Sequence, residues 1–326
     1  MLRAIHKNNL AKLIKFLSTK TAVFAPFKKE GEIVFDSVSG RDSDKSFDFK
    51  NGSSLLPPKF LFLPPEEKIF SVVKNKIKPL TKIKPFVLFC SYPDLFGILE
   101  LDEVMQKEPT DFFYSRRREA ATLVAVSEWK AESAIGGDLI LEKINPNYYR
   151  TIVLTAKGKK ISQTKFFENK NLEPKAPWPE RSALRRLLLD SELLKEAVVW
   201  SRHHLIWEEL AKTCLGCGIC TYVCPLCYCF SINDKKSFDG SNCSRCRKWD
   251  ACTLPDFAMV AGGKNFRPTL QERYYNWYYH KFVRGYKEFG RPHCVACGRC
   301  QKYCPAGIDI FKVLSRIVED YKKSKK

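Results

Sequence analysis

Apolar residues along the first 170 positions recur in two distinct rhythms. Leu10, Leu13, Ile14 and Leu17 are spaced to share one face of a helix. Short apolar runs follow: Glu32–Phe35, Phe60–Leu63, Phe86–Cys90, Ala121–Val126, Asp138–Leu141 and Thr151–Thr155. Their length and their β-branched or aromatic content predict strands. Residues 1–170 are therefore expected to form a mixed α/β domain. Pro174, Pro177 and Pro179 then make a stiff connector and mark the boundary. A helix is expected beyond it, because Leu184, Leu187, Leu188, Leu194 and Val198 keep helical spacing and the pattern runs on towards Trp207 and Leu210. Residues 171–206 are read as this connector and linker helix, and residues 207–326 as a second domain.

In the second domain, Thr269-Leu-Gln-Glu272 directly after Pro268 is a capping-box signature, with Gly290 as the stop. The helix between them carries Tyr274, Tyr278, Phe282 and Tyr286 four residues apart, a stripe expected to pack on its own domain rather than to stack nucleic-acid bases. A last helix from about Asp309 places Ile310, Leu314, Ile317, Val318 and Tyr321 on one side. The fold class expected is α+β: a mixed α/β docking domain followed by a mainly helical domain.

Composition changes this picture in one respect. Of 14 cysteines, Cys90 stands alone at the end of an apolar run and reads as a buried structural thiol; the others fall between Cys214 and Cys304. No run approaches the roughly 20 apolar residues of a membrane span. The N-terminal apolar stretch is broken by lysines and no A-x-A-like site follows it, so no signal peptide is expected. A cytoplasmic protein is the expectation, and there clustered cysteines are more often metal ligands than disulfides. The formal charge of +20 is spread over almost every segment rather than gathered in one basic run. Metal-bound thiolates would lower it by several units. A solvated basic surface that docks acidic protein fits this distribution better than a nucleic-acid footprint.

Cys214-x-x-Cys217-x-x-Cys220-x-x-x-Cys224-Pro225 has the spacing that wraps a cubane 4Fe-4S cluster, and Cys294-x-x-Cys297-x-x-Cys300-x-x-x-Cys304-Pro305 repeats it. The tight loop aims three thiolates at one cube. In two-cluster ferredoxins the fourth cysteine serves the other cluster. The expected ligand sets are therefore crossed: Cys214, Cys217, Cys220 and Cys304 on one cluster, and Cys294, Cys297, Cys300 and Cys224 on the second. Zinc does not account for two such strings. The long separation of the motifs, with a helix inside it, points to a helical ferredoxin-type dicluster domain with a long insertion. That insertion holds Cys227, Cys229, Cys243, Cys246 and Cys252. Four of these five are read as a third iron–sulfur centre, with structural zinc or unmetallated thiols as the alternatives.

Sites for independent catalysis are not evident. There is no G-x-G-x-x-G string, and Gly262-Gly263-Lys264 is followed by Asn265 where a phosphate loop needs Ser or Thr. His203 and His204 sit in the linker, and His293 beside Cys294 is read as a hydrogen-bonding neighbour of a cluster.

Several segments carry a resemblance to a known family. Cys224-Pro-Leu-Cys-Tyr-Cys-Phe230, Trp249-Asp-Ala-Cys-Thr-Leu-Pro-Asp-Phe257, Ala261-Gly-Gly-Lys-Asn-Phe-Arg-Pro268, Arg273, His280-Lys-Phe282 and Cys294-Val-Ala-Cys-Gly-Arg-Cys300 resemble the beta subunit of archaeal and bacterial sulfhydrogenases. The A subunit of anaerobic sulfite reductase shares the pattern. The likeness is dense over residues 207–310. It continues, more weakly, in Leu56–Phe62 and Ala134–Leu141. The resemblance implies a subunit that relays single electrons between an FAD-containing, NAD(P)H-handling flavoprotein and a catalytic subunit of a NiFe hydrogenase-type complex. A role in anaerobic sulfite reductase or another flavin-dependent reductase is the alternative. A cluster-bearing nucleic-acid enzyme ranks below both, since such enzymes generally use one structural cluster.

Overall fold

The computed structural model describes residues 3–39, 46–49, 54–74, 76–78, 83–128, 136–173, 187–239 and 241–326. The proline connector, Leu184, and Ala134 with Ile135 lie outside the described residues. Packing divides the chain into two units, Met1–Leu63 with Thr81–Pro179, and Pro64–Leu80 with Glu180–Lys326.

The strands in chain order are β1 (Arg3–His6), β2 (Ala22–Lys29), β3 (Glu32–Ser37), β4 (Glu66–Val73), β5 (Lys76–Lys78), β6 (Phe86–Ser91), β7 (Ala121–Ser127), β8 (Leu139–Lys143), β9 (Tyr148–Val153), β10 (Phe167–Asn169), β11 (Phe230–Lys236) and β12 (Asn242–Trp249). In the first unit they form a mixed sheet of order β10-β1-β9-β8-β7-β6-β2-β3. Its middle strands β2, β6, β7 and β8 run parallel. β6 is buried at every position, as expected for a strand covered on both faces. The first helix, Lys7–Ser18, buries Leu10, Leu13, Ile14 and Leu17, the face that the spacing predicted. They pack in a core with Val87, Phe89, Val124 and Leu141. Cys90 is fully buried in β6.

Two predicted strands differ. Phe60 and Leu61 belong to a 3-10 turn, Pro58–Leu61, which starts at Pro58 because the ring pre-sets the backbone and leaves no amide for a sheet to use. Phe62 and Leu63 are still fully buried. The last predicted strand starts earlier, at Tyr148, and ends at Val153; Thr155 instead caps the helix Ala156–Ser162 by accepting from the Gly158 amide at 3.3 Å.

In the second unit, helices surround one core in which Leu194, Val198, Trp207, Tyr278, Phe282, Leu314 and Ile317 meet. The single linker helix of the periodicity is broken into Ser191–Trp200, a 3-10 turn Ser201–His203 and Ile206–Thr213. Asp190 starts the first piece through the Leu193 amide, and His204 Nδ1 accepts from the Ile206 amide to start the last. Thr269 and Glu272 make both hydrogen bonds of the capping box, and Gly290 ends that helical run in the left-handed region. Asp309 caps the helix Ile310–Ser324 and all five predicted apolar positions on it are buried. A small sheet of order β11-β12-β4-β5 completes the unit. The chain thus combines helices and sheets, in line with the α+β class, and residues 64–80 join the second unit through the pairing of β4 with β12.

Candidate iron–sulfur site

The two cysteine strings fold alike. In the first, the helix Ile206–Thr213 ends at Cys214, Gly216 adopts φ +62°, and its amide donates to Cys214 Sγ at 3.4 Å. Gly218, at φ +79°, starts the one-turn helix Ile219–Tyr222, and the Cys224 amide closes the turn on Thr221 O at 3.3 Å. In the second, Ala296 takes φ +52°, its amide bonds to Cys294, and Gly298, at φ +75°, starts Arg299–Lys302. The Cys304 amide then closes on Gln301 O at 3.4 Å. Each loop therefore turns twice through the left-handed region, which curls the three leading thiols around one centre.

Two small, apolar cavities lie at these loops. Cys214, Cys217, Cys220, Cys300 and Cys304 line the first, walled by Leu215, Ile219, Tyr274, Trp277, Ile308 and Ile310. Cys224, Cys294, Cys297 and Cys300 line the second, together with Lys281, Val295 and Ile310. Cys300 and Ile310 border both. Each cavity thus holds the leading thiols of one string and the last thiol of the other.

The donor chemistry of both cavities fits an iron–sulfur cluster. Burial pushes the Cys220 and Cys294 thiols up to about 12 and raises Cys214 and Cys300 as well, so thiolates at these positions need a cationic partner of the kind iron supplies. Thr253 Oγ1 and Trp277 Nε1, both in the wall of the first cavity, are buried with no hydrogen-bond partner among the described residues. Such polar groups are what sulfide or thiolate acceptors inside the cavity would satisfy. Among the described residues no three His, Cys, Asp or Glu side chains converge where a single metal ion would sit.

The five thiols of the insertion lie in loops and turns and on β12. Cys227 accompanies Cys224 at Lys281, whose Nζ lies 3.7 and 3.0 Å from their respective sulfurs. Cys229 hydrogen-bonds to Cys252 and holds its pKa below the usual thiol value against the effect of burial. Cys252 also lies 3.9 Å from Thr221 Oγ1. Cys243 and Cys246 are on β12, opposite Lys236 and Asn233 of β11.

The histidines differ in setting, His203 being exposed. His293 is buried and stacks on Phe289 with ring centres 5.2 Å apart, and His204 pairs with Asp320 at 3.4 Å. Lys281, Trp277 and Thr253 are contributors that the motif spacing does not reveal. A signal for Lys281 exists in the sequence nonetheless: positions 274, 277, 278, 281 and 282 form one helical stripe, so a lysine at 281 falls on the buried face of an aromatic helix.

Comparison with known proteins agrees with this chemistry. Residues 213–308 match the family model described as the 4Fe-4S dicluster domain, and the match spans both cysteine strings. Over nearly its whole length the chain is similar to sulfhydrogenase 2 subunit beta of Pyrococcus furiosus: 29% identical over 334 residues, covering 97% of this chain and 98% of that protein. The likeness read from the residues is thus found over both units. No solved structure matches. No helix among the described residues is long and apolar enough to cross a membrane.

Proposed function

We propose that this chain is an iron–sulfur electron-transfer subunit carrying two 4Fe-4S clusters. In this reading Cys214, Cys217, Cys220 and Cys304 hold the first cluster, and Cys224, Cys294, Cys297 and Cys300 the second. The observation that carries it is the lining of the two cavities, where the last cysteine of each string stands with the leading cysteines of the other. Two centres that share a wall at Cys300 form a conduit, whereas a structural cluster needs no neighbour. The helices around the cavities and the β4, β5, β11 and β12 sheet are, on this account, a helical ferredoxin-type domain with its insertion. The first unit serves as a dock.

The similarity to a sulfhydrogenase beta subunit favours a place between a flavoprotein that handles NAD(P)H and a catalytic subunit of a hydrogenase-type complex. Residues that take a hydride or reduce a substrate would then belong to those partners. The test is made on anaerobically purified chain free of flavin and nickel. Dithionite should reduce it, and it should neither oxidise NAD(P)H nor evolve hydrogen; turnover of either reaction by the chain alone would falsify the relay reading. Purification of the native complex should bring down a flavoprotein and a metal-containing catalytic subunit with it.

A further inference from the structure

Lys281 lies in the π-helical stretch Tyr279–Arg284, inserted between the helices Leu270–Tyr278 and Gly285–Phe289. Such single π turns occur mostly at functional sites, because the extra residue re-aims side chains that a regular helix would space evenly. Here the side chain is 5% exposed and its ammonium lies 3.0 Å from Cys224 Sγ, in the wall of the second cavity. A buried ammonium is costly unless negative charge compensates it.

The two cavities are unequal in this respect. Among the described residues no charged side chain lines the first. Arg273 acts on Cys214 only as a minor influence, and its guanidinium is engaged with the carbonyls of Thr253, Arg267 and Pro268. Towards the first cavity Lys281 presents its ammonium to the Trp277 ring, 5.0 Å from the centroid, and that indole forms part of the cavity wall. The cation therefore touches one centre directly and meets the other across an aromatic ring.

Resting on the two-cluster reading, we propose that Lys281 is a potential-setting residue that makes the cluster held by Cys224, Cys294, Cys297 and Cys300 the easier of the two to reduce. Reduction adds one electron, hence one negative charge, to a site already bearing four thiolates. A fixed positive charge in contact with one of them stabilises the reduced state more than the oxidised state. The asymmetry would order the conduit, with the first cluster passing electrons to the second. Lys281 acts through its contact with Cys224 and is a positioning residue rather than a catalytic one.

The experiment is a redox titration followed by electron paramagnetic resonance on the full chain, with iron and sulfide measured on the same samples. Wild type should give two waves. In Lys281→Met one wave should move to lower potential by at least a tenfold loss in the reduced-to-oxidised ratio, about 59 mV for one electron. The other wave should move by less, and Lys281→Arg should stay near wild type. Lys281→Gln keeps a donor beside Cys224 without the charge, so it should fall with Lys281→Met. Unmoved waves in the neutral variants at full iron content would overturn the proposal, as would loss of iron from both neutral variants but not from Lys281→Arg, which would make the residue structural. Wild-type protein with fewer than two clusters would instead be a failure of the underlying two-cluster reading.

Discussion

Ala296 occupies in the second cysteine loop the left-handed backbone position that Gly216 occupies in the first, at φ +52° against +62°. An L-residue there is strained by about 1–2 kcal/mol, whereas glycine is at ease but surrenders more chain entropy on folding, about 0.5–1 kcal/mol. Ala296→Gly is expected to stabilise the loaded protein by about 0.5–1 kcal/mol. The check is the denaturant midpoint of cluster loss, which should rise.

Gly218 and Gly298 start the two short helices with similar positive φ, yet their surroundings differ. A Cβ at 218 would stand 2.8 Å from Ala251 Cβ, while one at 298 meets nothing within 4 Å. Gly298→Ala should therefore cost only the backbone strain less the chain entropy it recovers, about 0.5–1 kcal/mol. Gly218→Ala should cost clearly more, because Ala251 is backed by buried structure and cannot yield. Comparison of iron retention in the two variants under mild denaturant tests the order.

Much of this architecture is written in local pattern. The apolar face of Lys7–Ser18, the capping box at Thr269 and the stripe beyond Asp309 each depend on neighbours three or four residues away, and each forms as its spacing requires. The eight motif cysteines are legible for the same reason, since loop geometry sets their spacing. What pattern conceals is non-local. β4 reaches β12 across more than half the chain, through pairs such as Cys246 with Lys68, and nothing in either segment alone names the other. The buried ion pair of Glu67 with Arg247 belongs to that same pairing. Lys281 is hidden differently: its role arises from a π turn and from a thiol 57 residues away in sequence.

His280 supplies a pH signature. Burial lowers its pKa to about 4 from 6.5, helped by the charges of Lys281 and Arg284, and its Nε2 lies 3.3 Å from the Tyr228 hydroxyl. Between these values the unfolded chain binds a proton that the folded chain refuses. The stability associated with neutral His280 is thus complete above about pH 6.5 and is lost as pH falls towards 4. The loss should be no more than about 3.5 kcal/mol. Thermal stability of His280→Gln should show a shallower decline over that window than wild type.

Cys304→Ala should damage the distant centre. With crossed ligands, the variant loses a thiolate from the cluster of Cys214, Cys217 and Cys220, although Cys304 belongs in sequence to the second string. Resonance spectra should show the Cys214 centre altered or degraded to a three-iron form, with the signal of the other retained. A loss confined to the cluster of Cys294, Cys297 and Cys300 would mean that each string ligates its own cube.

The central claim is that the two cysteine strings hold two cubane clusters, and its most direct test is the content of iron and acid-labile sulfide in anaerobically purified protein, measured with zinc on the same sample. Two 4Fe-4S clusters require about eight irons and eight sulfides per chain, rising to near twelve irons if the insertion thiols hold a third cube. A content near four irons, or zinc in place of iron at Cys214–Cys224 and Cys294–Cys304, would contradict the account.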